Sequence, residues 1–471
     1  MMSILKPDIQ QTVSVKPMIN IGACLDIPTG FYIKGKYGES LLNGGLGMLT
    51  GIAGIGNNFK STILHYMMLS AANKVAKVHE TNMTTYDTEI NIHENRLRQF
   101  ASMFDSFRDT DILEDQTWVV TDKTVYYGDE FYHKLVDYLS VKKKNANSLM
   151  LETPFMDRKR EKLNHMMVPT FSEIDSLSEF ETKHSVDVKD KHDLGDSGRN
   201  TLFMRQGLIK SQLLMDLPTL AWQSNHYILM TAHIGKETQM ANGPIPVPPT
   251  KKLIGLKNGD KIKGVSDRFF FLTNNFWHTY HVTPLINQST KAPEYPLDSV
   301  DNSIKSYDLN LIYLKQLRCK SGPSGNTVEL VVSQTQGVLP TLTEFHHIKE
   351  SKRYGISGTL QHYYLDLIPD VKLSRTTVRG KIDDNVMLRR AINITSEMCQ
   401  IKDLWRDMDD RLVCTPKELY EDLKKDGYDW NVLLNTRGWW SYNNDQVDLP
   451  FLSTMDLLNM RAKLYKPYWY K

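Results

Sequence analysis

Gly54-Ile-Gly-Asn-Asn-Phe59-Lys60-Ser61-Thr62 sits between two segments of opposite character. Before it, Gly45-Leu-Gly-Met-Leu-Thr-Gly-Ile reads as a buried strand running into a glycine-rich turn. After it, residues 61–72 read as a helix with Ile63, Leu64, Met67 and Met68 on one stripe. A strand, a turn of small residues and a helix that opens on Lys-Ser are the parts of a phosphate loop. Small residues let successive backbone N–H groups face the phosphates, the lysine meets the β- and γ-phosphates, and the hydroxyl meets magnesium. Gly54, Gly56, Asn57, Asn58, Phe59, Lys60, Ser61 and Thr62 are therefore the expected nucleotide-binding set, with Ser61 also on the metal. Phe59 stands where a glycine is usual. An incidental glycine-rich turn is the plainer alternative, and the flanking strand and helix argue against it.

Further along the chain the strand–helix alternation continues to about residue 332, which predicts a parallel sheet wrapped by helices. Residues 77–86 read as a strand leading into Tyr86-Asp-Thr-Glu89. Residues 168–174 read as another, ending at Asp175. A carboxylate at the first position can orient and deprotonate an attacking water, and one at the second can help hold magnesium. Each also reads simply as a charged strand end. Residues 202–222 read as an amphipathic helix that Pro218 would end early, and 226–232 as a buried strand. Residues 309–317 and 327–332 form a hairpin around Ser321-Gly-Pro-Ser-Gly-Asn.

Three stretches break the rhythm. Residues 142–167 are charged and read as a solvated insertion, 187–199 as a polar mobile loop, and 235–263 as a long Gly-, Pro- and Lys-rich loop. Beyond residue 350 the alternation stops, and a mainly helical C-terminal region with an aromatic end is expected. The organisation is thus a short segment 1–16, a core 17–350 and a C-terminal domain 351–471. Trp439, Trp440, Tyr468 and Trp469 of that end read as core or interface, with base stacking as the alternative.

The 471 residues are 41% hydrophobic and 24% charged, enough for a sizeable core, and the formal net charge of +2 carries no functional signal. Four scattered cysteines and the lack of an apolar leader or membrane-length run point to a soluble, cytoplasmic protein without disulfides or zinc.

In order along the chain, these motifs resemble the RecA family, and within it the strand-exchange proteins of T-even phages. Pro17-Met-Ile-Asn-Ile21 and Ile27-Pro-Thr-Gly30 are similar to the segments that open the family's core. Phe59-Lys60-Ser61 matches the phage branch's unusual loop ending, and Tyr86-Asp-Thr-Glu89 and Ile174-Asp-Ser-Leu177 match two further segments. The resemblance covers roughly residues 15–350. It implies a RecA-like ATPase core using ATP and Mg2+, with Glu89 as catalytic base and Asp175 on the metal. Ala232-His233-Ile-Gly-Lys-Glu237-Thr-Gln239 resembles the sensor segment, which implies that His233 reads the γ-phosphate. Arg318 and Lys320 stand where the family has basic residues reaching a neighbouring subunit's γ-phosphate; two exposed basic residues at a hairpin are the alternative. Arg96, where the bacterial member has a tyrosine on the adenine, is suited to stacking on a base.

The loops after the Asp175 and His233 strands bind DNA in the family. In the second, Lys236, Lys251, Lys252, Lys257, Lys261 and Lys263 suit phosphate contacts, a solvated loop face being the alternative. The first is mixed in charge. The function implied is an ATP-dependent recombinase forming filaments on single-stranded DNA, with duplex DNA as a second partner and the chain itself as a homo-oligomer. Arg318-Cys-Lys-Ser-Gly-Pro-Ser-Gly-Asn-Thr-Val-Glu329 resembles instead a segment of hexameric DnaB-type helicases, which is the alternative. A nucleotide-binding adaptor protein is the third reading.

Overall fold

The computed structural model describes residues 15–157, 161–191, 197–236, 256–257, 260–266, 268–304, 306–359 and 361–471. Among the described residues, ten strands form one central sheet. They are Leu49–Gly54 (β1), Met83–Asp87 (β2), Trp118–Asp122 (β3), Thr170–Asp175 (β4), His226–Lys236 (β5), Asp260–Ile262 (β6), Asn275–Pro284 (β7), Leu309–Cys319 (β8), Thr327–Ser333 (β9) and Gly337–Val338 (β10). Across the sheet the order is β10-β9-β8-β7-β1-β5-β4-β2-β3, with β6 paired to the end of β5. From β7 through β3 every neighbouring pair is parallel; β8, β9 and β10 add antiparallel strands on one side.

All residues of β1 and β4 are buried. Burial along the whole strand is what parallel strands covered on both faces show, and in β4 it takes in the polar Ser172, Glu173 and Asp175. The covering helices include Lys60–Ala76 (α1), which packs on β4 and β5, and Ser197–Ser224 (α2), which packs on β5. The chain crosses from β1 over two places in the sheet to β2, and later fills those places with β4 and β5. That reversal of direction leaves the carboxyl ends of β1, β2, β4 and β5 along one edge, the place where open α/β sheets bind ligands.

Several expectations need correction. Pro218 lies inside α2 and does not end it. Residues 183–191 and those from 197 onward are helical, so most of the polar stretch 187–199 is not a loop. The 142–167 insertion is partly core. Met150–Met156 and Leu163–Met167 form a hairpin, Phe155 is buried against Trp440 with ring centroids 4.9 Å apart, and the Lys142 Nζ donates 2.7 Å to Thr170 Oγ1 in the interior. The C-terminal region is mainly helical, as expected, though not from its start. It begins with a three-stranded antiparallel sheet, Ile356–Gly358, Tyr363–Leu365 and Ile368–Leu373, before helices such as Val386–Leu404.

Nor does residue 350 separate two cores. One hydrophobic cluster joins Ile52, Leu64 and Ile174 to Trp440, Tyr442 and Phe451; another joins Leu309 and Val331 to Leu388 and Leu433. Trp440 is thereby accounted for by packing, while Tyr468 remains exposed and stacks on Tyr37 at 4.0 Å. Strands β3 and β7 went unread in the sequence.

A candidate nucleotide site at the carboxyl edge of the sheet

Gly54 ends β1 directly beside Thr279 of β7, with which it is in register. A Cβ at Gly54 would stand 2.0 Å from Thr279 Oγ1, so only glycine lets the two strands meet here. Beyond it the chain turns through Asn57 and Phe59, at φ of 59° and 58°, and enters α1 at Lys60. Phe59 thus keeps the left-handed conformation that a glycine would adopt easily, with its ring packed against the core. Asn58 Nδ2 donates 3.0 Å to the Thr279 carbonyl and ties the loop to β7. Lys60 Nζ donates 2.9 Å to the Ile55 carbonyl, across the loop. Burial lowers the Lys60 ammonium below its ordinary pKa, although Asp175 and Glu89 nearby pull it back up.

Asp87, Asp175 and His233 come to the same edge on β2, β4 and β5. The Asp87 carboxylate accepts four backbone N–H groups, from Glu89, Ile90, Asn91 and Ile92, at 2.8–2.9 Å. It therefore shapes the loop that presents Glu89, a role the sequence reading did not give it. Glu89 Oε1 lies 2.7 Å from His233 Nε2. Because an ionised carboxylate only accepts, the proton belongs on Nε2. This hydrogen bond lowers the Glu89 pKa against partial burial, so the side chain is a carboxylate at neutral pH. Asp175 is buried and accepts from the Thr231 hydroxyl. Its peptide bond to Ser176 is cis.

Residues 56–62 share one cleft of about 640 Å³ with Glu89, Arg96, Asp175 and His233. Arg96 lies over the Phe100 ring at 5.2 Å, so one aromatic contact of its guanidinium is already made within the chain. Sequence reasoning missed His65, whose Nδ1 is 2.8 Å from Glu173 Oε2 in the floor of the cleft. Thr85 Oγ1 donates 2.8 Å to the same oxygen and receives 2.8 Å from Trp118 Nε1. Despite burial, Glu173 raises the His65 pKa. The signal was present: strand alternation puts Glu173 on the face of Asp175, and helix spacing puts His65 one turn after Ser61.

This donor set fits a nucleoside triphosphate with magnesium. Gly56 has open space around it, and the Lys60 ammonium, the Ser61 hydroxyl and the Asp175 carboxylate meet in one polar cleft. Lys60 would hold phosphate oxygens, Ser61 and Asp175 the metal, and Glu89 a water.

Arg318 and Lys320 are elsewhere. Arg318 pairs with Phe276 and Cys319 with Asn275, whose other neighbour is Thr50, at the amino end of β1. They occupy the edge of the sheet opposite the cleft. Arg318 stacks on Phe270 and Phe271 at 5.4 and 5.8 Å, and Lys320 Nζ donates 2.9 Å to the Leu272 carbonyl. Of the loop lysines, Lys257, Lys261 and Lys263 are exposed, whereas Lys236 is paired with Asp260. Lys251 and Lys252, with Glu237 and Gln239, lie outside the described residues.

The fold and cleft define an α/β protein with a large, mostly parallel sheet carrying a polar cleft at its carboxyl edge. Among the described residues no helix is long and apolar enough to cross a membrane. No family model matches the chain, and no curated protein matches it.

Proposed function

We propose that this chain is an ATP-dependent DNA recombinase of the RecA type, binding ATP and magnesium in the cleft at the carboxyl edge. The observation that carries the reading is the Glu89–His233 pair, an ionised carboxylate hydrogen-bonded by the imidazole in the same cleft as Lys60, Ser61 and Asp175. Glu89 takes the proton of the attacking water, Lys60 neutralises charge developing on the phosphates, and His233 reports the state of the γ-phosphate; Ser61 and Asp175 would hold the metal, which would supply further positive charge there. Lys257, Lys261 and Lys263 supply exposed cations for single-stranded DNA on the chain that follows His233. Arg318 and Lys320, away from their own cleft, act in a neighbouring copy.

One observation favours the hexameric helicase as the second reading. The helicase-like segment 318–329 packs against Ile27-Pro-Thr-Gly30, a segment that fits both families: the Ser321 hydroxyl donates to the Thr29 carbonyl. Electron microscopy with single-stranded DNA and a non-hydrolysed ATP analogue separates the readings. Helical filaments are expected; closed six-membered rings would transfer the assignment to the helicase, and unassembled particles would favour an adaptor.

A further inference from the structure

His233 is held on three sides. Its side chain meets Glu89, its N–H donates 2.9 Å to Ser178 Oγ, and its carbonyl accepts 2.8 Å from the Lys263 N–H. Ser178 follows β4, and its hydroxyl donates 2.8 Å to the Lys263 carbonyl. Serine and lysine thus close a small ring of hydrogen bonds around the residue that touches the catalytic carboxylate.

Beneath this ring lies Lys210 of α2, only 4% exposed. Its Nζ donates 2.7 Å to the Ser178 carbonyl and 2.9 Å to the Gly264 carbonyl. Gly264 has a φ of 67°, and a Cβ there would stand 2.8 Å from Ser178 O, so the two segments meet backbone to backbone. Burial brings the Lys210 ammonium down to about 8, against the pull of Glu179 and Glu181. A buried cation is expensive, and two main-chain carbonyls from segments far apart in sequence are what hold this one. An apolar residue would fill the same space at lower cost if packing were its whole purpose.

We infer that Lys210 is a positioning residue: by pinning Ser178 and Gly264 together it makes the Glu89–His233 pair answer to whatever occupies the exposed lysines of residues 257–263. This rests on the proposed reading of those lysines as the single-stranded DNA contact. DNA drawn onto Lys261 and Lys263 moves the backbone at 263–264, and Lys210 passes the displacement through Ser178 to the His233 N–H. Without the ammonium, Ser178 keeps only its hydroxyl tie to the 263–264 segment, and less of the displacement reaches the His233 N–H.

The test compares ATP hydrolysis by the full-length wild type and Lys210→Met, with and without a thymidine oligonucleotide, alongside oligonucleotide binding by fluorescence anisotropy. Couplings between two sites are usually about 5–150-fold, and stimulation of wild-type hydrolysis is expected in that range. Lys210→Met should keep its unstimulated rate and its affinity for the oligonucleotide, with stimulation reduced to about twofold or less. Ser178→Ala, a smaller change that spares the buried helix, should lose stimulation in the same way and covers the case in which Lys210→Met does not fold. Full stimulation of either folded variant overturns the inference alone, as does a loss of oligonucleotide binding that accounts for the loss of stimulation. A wild type that neither binds the oligonucleotide nor responds to it overturns the DNA reading, and the inference with it.

Discussion

Phe59 occupies a backbone conformation that costs an L-residue about 1–2 kcal/mol, at the point where the glycine-rich loop enters its helix. Its aromatic ring offsets that cost by packing against the core. Removing the ring therefore exposes the strain. Phe59→Gly should be more stable than Phe59→Ala by about 1–2 kcal/mol in chemical denaturation, the reverse of the order inside a helix. Equal stabilities would mean that the loop relaxes when the ring is lost. At Glu89 the expectation concerns chemistry. Glu89→Gln preserves shape but cannot take a proton, so turnover should fall about 10²–10⁴-fold while ATP binding by calorimetry changes little. Unchanged turnover would remove Glu89 from the reaction. Lys60, Ser61, Glu89 and Asp175 stood out because each sits at or just beyond the end of a regular element; His233, three residues inside the end of β5, was singled out only by the family resemblance. Asp87 and the His65–Glu173 pair went unread: Asp87 takes its partners from the backbone of the loop just after it, and Glu173 meets a helix residue 108 positions away, so spacing gives the face of each but not the pairing.

Among the elements, the helix Gly128–Lys144 shows what local reading misses. Lys142 belongs to a run of three lysines that looks solvated, yet its amine is inside, donating to Thr170. Burial lowers its pKa from 10.5 to about 7. Between those values the unfolded chain holds a proton there that the folded chain has shed, so this group makes stability rise with pH across that window. Lys142→Met keeps the apolar stem and removes the amine. Its stability advantage over wild type should be largest at or below pH 7 and shrink steadily toward pH 10.5, measured by denaturant unfolding at each pH. A constant difference would show that Lys142 titrates normally. α1 and β4 were readable to within a few residues, as 61–72 and 168–174 against the observed Lys60–Ala76 and Thr170–Asp175. β7 was hidden because its buried half, Asn275-Phe-Trp-His-Thr279, mixes polar and apolar residues without a two-residue alternation.

On the scale of the whole molecule, the parallel sheet followed from the order of strand and helix signals, whereas the unity of core and C-terminal region did not. Clusters that join Ile52 to Trp440 depend on long-range packing, and no local pattern reports it. The placement of Arg318 and Lys320 opposite the cleft gives a prediction proper to the assembly. Glu89→Gln has a disabled cleft and intact Arg318; Arg318→Ala has the reverse. Each alone should hydrolyse ATP poorly, and mixing the two should restore part of the steady-state rate, because some joints then combine a sound cleft with a sound arginine. A mixture no more active than its parts would place Arg318 outside the reaction.

That placement also turns chain counting into a kinetic observable. If a working site is completed only where the cleft of one copy meets the far edge of the next, then sites belong to joints and not to chains. An open row of n copies has n − 1 joints, so its rate per chain climbs as (n − 1)/n, a lone copy is silent, and one terminal copy always holds its nucleotide unspent. A closed row has as many joints as members and shows no such climb, so rate against row length distinguishes an open assembly from a closed one without imaging either.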